Sequence, residues 1–251
     1  MRRPLVLLGL GEFVGTFVVV FVAAGSVVTV AGALGGVDGG GLAAVALAYG
    51  LVYGTALASS GRSVAGGLNP AVAVGRFVAG RLSLSEVSVA LAAQIASGAA
   101  GAGLLRVALP ESFWEPVQLG ALGVNQSVST GQAVLIEAVV TLVLVWAVTG
   151  VVAHRVPSPT TGPSAAAGIV GGAVVVAGVL VAGPFTGGAL NPARAFGPAI
   201  AQWSFSDVWV YWVGPLAGGV VGAVLADLVT AAPPDVEGIR AEEFGAGAGG
   251  P

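Results

Sequence analysis

The sequence predicts an all-α membrane protein: six transmembrane helices plus two re-entrant half-helices, arranged as an inverted repeat. Three observations carry that prediction. Of 251 residues, 56% are hydrophobic and 8% charged, with a mean hydropathy of +0.96, whereas a soluble domain carries about a quarter charged residues. Apolar runs recur near the ~20 residues that cross a hydrocarbon core, which points to helices and not to the ~10-residue alternation of a barrel. The triplet Asn-Pro-Ala occurs twice, at Asn69 to Ala71 and at Asn191 to Ala193, each time between apolar flanks.

The first span, about Leu5 to Ala33, follows Arg2 and Arg3 and is too long for a cleaved signal sequence. It holds Glu12 and Thr16, four apart and so on one face. After a glycine-rich turn with Asp38, the second span runs from Leu42 to Ser60, with Tyr49 and Tyr53 one turn apart. Gly61 to Leu68 reads as a re-entrant loop, and Pro70 to about Ala79 as a helix too short to cross. Arg81 to Glu86 is a surface turn before the third span, Val87 to Leu109, whose alanines and glycines suit close helix contact. Residues 110–132 form a polar loop with Trp114, placed on the far side. The fourth span, Ala133 to Val152, repeats the acid and threonine spacing as Glu137 and Thr141. His154 and Arg155 open a proline-rich loop, where His154 reads as a solvated residue and a pH gate is the rarer alternative. The fifth span, Pro163 to Ala182, leads through an irregular segment to a second half-helix, Pro192 to about Gln202. The sixth, Val208 to Val229, starts with Trp209, Tyr211 and Trp212, read as an interfacial aromatic belt. Residues 1–231 thus make one channel domain, with repeats at about 5–109 and 133–229. Residues 232–251, rich in proline, glycine and acid, read as a disordered cytoplasmic tail.

Asn69 and Asn191 are 122 positions apart, and Glu12 and Glu137 are 125 apart, which supports a duplication. Three crossings per half turn the second copy upside down, so that the half-helices meet near the midplane. All nine basic residues are arginine. This topology puts Arg2, Arg3, Arg62, Arg76, Arg81, Arg155 and Arg240 inside, Arg106 outside and Arg194 in the channel, as the positive-inside rule asks. The expected location is integral and multi-pass in the plasma (inner) membrane, with both termini cytoplasmic.

Each motif asparagine can cap its half-helix through the side-chain oxygen and leave its amide NH2 pointing to where the halves meet. A passing water or hydroxyl then accepts from Asn69 and Asn191, while the positive helix ends, about half a charge each, repel cations and protons. Arg194 sits where a charge costs ~2.5–3.5 kcal/mol, so it is expected to face a pore. Glu12 and Glu137 are expected to accept hydrogen bonds from the exposed backbone of the neighbouring loops, a proton relay being the weaker alternative. The absence of cysteine excludes disulfides and thiol chemistry, and a single histidine makes a metal site improbable. No catalytic residues, metal or cofactor are therefore expected, and no nucleic-acid partner. An ion-coupled secondary transporter also uses inverted repeats and broken helices. Its coupling groups belong at the midplane, whereas both acids here are expected to lie far from the asparagine pair in each repeat.

From about Leu5 to Val229 the chain resembles the aquaporins, the major intrinsic proteins. The resemblance rests on the paired Asn-Pro-Ala, Arg194 directly after the second copy, and the Glu-x-x-x-Thr pairs. It implies an hourglass fold, a homotetramer in the lipid bilayer with one pore per subunit, and passive conduction of water or small neutral solutes. It also implies a second filter at Tyr49, Val179, Gly188 and Arg194. Valine and glycine there differ from strict water channels, which implies a wider, less polar filter that could admit glycerol, hydrogen peroxide or neutral metalloid hydroxides such as arsenite. Ala195 after Arg194, and Tyr49 where tryptophan is usual, also depart from typical glycerol facilitators.

Overall fold

The structure is a computed structural model that describes residues 4–37, 39–61, 64–153 and 163–230. Arg2, Arg3, Asp38, Arg62, His154, Arg155, Arg240 and the tail at 232–251 lie outside the described residues. Six helices are long and apolar enough to cross a membrane. They are α1 (Leu5–Leu34), α2 (Gly40–Ser60), α4 (Leu84–Ala108), α6 (Thr130–Ala153), α7 (Pro163–Thr186) and α9 (Val210–Thr230). Between them lie two short helices that each start at an Asn-Pro pair, α3 (Pro70–Val78) and α8 (Pro192–Gln202). A single turn, α5 (Glu111–Trp114), stands in the loop before α6. The half-helices have 9 and 11 residues. At ~1.5 Å per residue each covers about half of a ~30 Å core, so together they do the work of one span.

The polarity of the spans is turned inward. Leu10, Leu51, Leu135, Leu180 and Leu228 are exposed, while Glu12, Thr16, Glu137 and Thr141 are completely buried. Close packing between the halves rests on small residues. Gly50 and Gly54 of α2 face Gly168 and Gly172 of α7, and a Cβ on Gly50 would lie 2.5 Å from the Gly172 carbonyl oxygen. Such a small-xxx-small stripe lets helix backbones touch in lipid, where burial of apolar surface offers no driving force. Gly50 and Gly172 are 122 positions apart, the spacing of the two asparagines. The pseudo-twofold axis of the duplication therefore passes between these glycines.

Each half-helix packs against the closing span of the opposite half, α3 against α9 and α8 against α4. Here too the contacts are paired. A Cβ on Gly219 would lie 2.5 Å from the Ala71 carbonyl oxygen, and one on Gly98 would lie 2.7 Å from that of Ala193. This exchange brings two loops from opposite ends of the chain to one place.

Several boundaries differ from those expected. The turn before α4 is a capping box: Ser83 accepts from the Glu86 N–H and the Glu86 carboxylate accepts from the Ser83 N–H, so the helix starts at Leu84. Ser129 and Gln132 make the same reciprocal pair at the start of α6. α7 continues past Ala182 to Thr186, with Pro184 inside its last turn. Pro184 has no N–H to offer the Leu180 carbonyl one turn before it, and the helix ends two residues later. Trp114 is buried beneath Arg106, whose guanidinium carbon lies 5.2 Å from the indole centroid, and is not part of a solvated loop.

Candidate functional site: two re-entrant loops

In the first loop, Asn69 is extended (φ −158°, ψ 119°) and its side-chain oxygen accepts from the Ala71 N–H at 2.9 Å, capping α3, with Pro70 next in the chain. In the second, Asn191 (φ −146°, ψ 111°) accepts from the Ala193 N–H at 3.0 Å and caps α8 in the same way. The residue before each asparagine is a leucine in the left-handed region, Leu68 at φ 58° and Leu190 at φ 53°. A branched side chain pays ~1–2 kcal/mol for that conformation, so something must hold it.

The holder is a buried carboxylate in each half, which corrects the expectation that the two acids lie far from the asparagines: each accepts from the residue next to one. Glu12 of α1 accepts from the Gly66 N–H at 2.5 Å and the Leu68 N–H at 2.9 Å. Glu137 of α6 accepts from the Ala189 N–H at 2.9 Å and the Leu190 N–H at 3.0 Å. Each acid thus gives partners to backbone that lipid could not satisfy. A third donor completes each carboxylate, and sequence reasoning missed both: Gln94 of α4 donates to Glu12 at 2.7 Å, and the Thr186 hydroxyl donates to Glu137 at 2.7 Å. Their positions are set by packing between distant elements, which no local pattern marks.

The asparagine amides differ from the expectation that both NH2 groups stay free. Asn69 donates to the Leu190 carbonyl at 2.8 Å and Asn191 donates to the Leu68 carbonyl at 2.9 Å. Each loop is therefore tied to the other by a crossed pair of bonds. An amide nitrogen has two hydrogens, and this crossing uses one on each asparagine. Both asparagines are fully buried, as is nearly all of Arg194 (2% exposed).

Arg194, in the first turn of α8, donates to the Gly120 carbonyl at 2.8 Å. Gly120 lies in a tight turn, Gln118–Gly120, between α5 and α6. The guanidinium is thus held by backbone from the loop that covers that end and does not reach toward lipid. Tyr49 of α2 donates to the Ala189 carbonyl at 2.9 Å. Val179 of α7 packs on Gly188, where a Cβ would lie 2.9 Å from the Val179 Cα. With φ at 67° as well, position 188 suits glycine alone. Tyr49, Val179, Gly188 and Arg194 thus gather around the second loop.

Three further side chains brace the loops without having been expected. Tyr53 donates to the Gly67 carbonyl at 3.0 Å, and Arg76 to the Ala65 carbonyl at 2.8 Å. Tyr211, expected in an aromatic belt, is instead fully buried and donates to the Thr186 carbonyl at 2.9 Å, while Trp209 is exposed. Among the described residues no cluster of histidine, cysteine or acid could hold a metal ion.

Residues 6–226 match the family described as Major intrinsic protein. Among similar proteins, Aquaporin TIP4-4 of Zea mays is 39% identical over 227 residues, covering 87% of this chain and 84% of that one. Aquaporin-5 of Homo sapiens is 34% identical, covering 85% and 77%. The fold is that of the aquaglyceroporin from Plasmodium falciparum, with a TM-score of 0.70 at 22% identity, covering 91% of this chain and 96% of that one. Many of the similar proteins, including Probable aquaporin TIP3-2 of Oryza sativa subsp. japonica (36% identical, 90% and 82% covered), are of the TIP type. These are tonoplast (vacuolar-membrane) aquaporins and not plasma-membrane proteins, which overturns the plasma-membrane location expected from the sequence.

Proposed function

Since the chain belongs to the major intrinsic protein family, and is therefore a passive channel for water and small uncharged solutes and not an enzyme, we propose how its residues divide that work. The remaining amide hydrogens of Asn69 and Asn191 donate to the permeant where the half-helices meet. Their positive ends, with Arg194 beyond them, set an electrostatic barrier to protons and cations while neutral molecules pass. Tyr49, Val179, Gly188 and Arg194 form the selectivity filter, and Glu12 and Glu137 are its structural support. The observation that carries this reading is the crossed pair of bonds between two fully buried asparagines, each capping its own half-helix.

Val179 and Gly188 give the filter wall no polar side chain, which favours glycerol, hydrogen peroxide or neutral metalloid hydroxides such as arsenite beside water. Residues 1–231 act as one channel domain, and four copies assemble as a homotetramer with a pore in each. Stopped-flow light scattering on proteoliposomes tests the solute range: water, glycerol and arsenite are each expected to equilibrate faster than in empty vesicles. Glycerol and arsenite rates equal to those of empty vesicles would restrict the channel to water.

A further inference from the structure

Each loop carbonyl can be followed to its partner, and the pattern breaks the symmetry of the duplication. Gly67 and Ala189 are 122 positions apart and hold equivalent places, each directly before the left-handed leucine. Both carbonyls accept from a tyrosine hydroxyl, yet the two tyrosines do not come from equivalent helices. Tyr53 serves Gly67 and Tyr49 serves Ala189, and both stand on α2, one turn apart. The positions 122 further on, in α7, are Gly171 and Val175, which have no side-chain donor. Gly171 instead makes room, since a Cβ there would lie 3.0 Å from the Tyr53 ring. In the second loop, Leu190 accepts from Asn69 and Thr186 from Tyr211, whereas the Gly187 and Gly188 carbonyls meet no protein donor among the described residues.

We propose that Tyr49 and Tyr53 are specificity-determining positioning residues: their hydroxyls withdraw the Ala189 and Gly67 carbonyls from the permeating molecule. The acceptors left in the second loop are then those of Gly187 and Gly188. Water, which needs few acceptors at a time, is little affected; a polyol, which must place several hydroxyls at once, still passes but more slowly than it would with those carbonyls free. This inference rests on the channel reading above. It assigns the effect of Tyr49 to its hydroxyl acting through Ala189 and not to the bulk of its ring.

The test compares glycerol and water permeability per reconstituted channel. Tyr49→Phe frees an acceptor on the Arg194 side, and one more net hydrogen bond corresponds to a rise in the glycerol-to-water ratio of about threefold or more. Tyr53→Phe frees the Gly67 carbonyl in the opposite loop, away from Arg194, and raises the ratio less. Tyr49→p-aminophenylalanine keeps a donor at that place and restores the wild-type ratio. A merely structural tyrosine would change the number of active channels and leave the ratio alone. A Tyr49→Phe ratio within about 1.5-fold of wild type overturns the proposal, because even a weak net hydrogen bond exceeds that. Should that variant not fold, an isotope-labelled Ala189 carbonyl in the full-length wild-type chain decides: a hydrogen-bonded infrared band supports the proposal and a free-carbonyl band overturns it. Wild-type vesicles no more permeable to water than empty ones would sink the channel reading and this inference together, whereas a conducting wild type with an unchanged Tyr49→Phe ratio sinks only the latter.

Discussion

The two re-entrant loops share their backbone machinery and part company one residue after Asn-Pro-Ala. In both, a buried glutamate takes two N–H groups, a leucine sits at positive φ, and an asparagine caps a half-helix and crosses to the other loop. The next position is Val72 in one and Arg194 in the other. Val72 is packed with Val145 and Ala223, while Arg194 is held by the Gly120 carbonyl. The braces differ as well: Glu12 borrows Gln94 from another helix, and Glu137 uses Thr186 at the start of its own loop. The symmetric parts build a pair of opposed helix ends, and in the proposed reading the asymmetric parts make one side of the pair selective.

Exchanging the two fates of that position should have the largest effect. Val72→Arg would bury a lone charge among valine and alanine, at a cost of at least several kcal/mol. No monodisperse protein is expected on gel filtration, whereas Arg194→Val should fold and lose only ~1–3 kcal/mol through the orphaned Gly120 carbonyl. Next come the glutamates. Glu12→Ala and Glu137→Ala each strip two loop N–H groups of their partner, on the order of 2–6 kcal/mol, read as a marked drop in the thermal unfolding midpoint in detergent. Equal drops would show that the two loops bear equal strain.

How much of this could be read beforehand follows from the range of each interaction. Asn69-Pro70 and Asn191-Pro192 act within one helical turn, so the caps were legible, as were Glu12 and Glu137 as acids that apolar spans must explain. The crossed amide bonds were not, because they join residues 121 and 123 positions apart. Tyr53, Gln94 and Tyr211 were missed for the same reason: burial decides whether such a side chain braces a loop or faces lipid headgroups. The fifth span was expected to end at Ala182, yet α7 continues through Gly183 and Pro184 to Thr186.

The braces give a smaller difference. Thr186→Val removes a donor to Glu137 and an acceptor from the Gly188 N–H, so ~1–3 kcal/mol should be lost. Gln94→Leu should cost less, about 1 kcal/mol, because its own carbonyl oxygen is already without a partner among the described residues. Thermal midpoints of the two variants would order them, and the reverse order would contradict this account of the braces. The smallest effect should come from mercurials: with no cysteine in the chain, thiol-directed block should leave water permeability unchanged in the stopped-flow assay.

The central claim is that opposed, asparagine-capped helix ends with one buried guanidinium pass neutral molecules and stop charge. Its most direct test measures water flux and proton flux on the same reconstituted vesicles, one by light scattering and one by an enclosed pH dye. The account predicts water equilibration well above that of empty vesicles with proton leak no greater than theirs. Proton flux that rises together with water flux, or water flux no faster than through lipid alone, would contradict it.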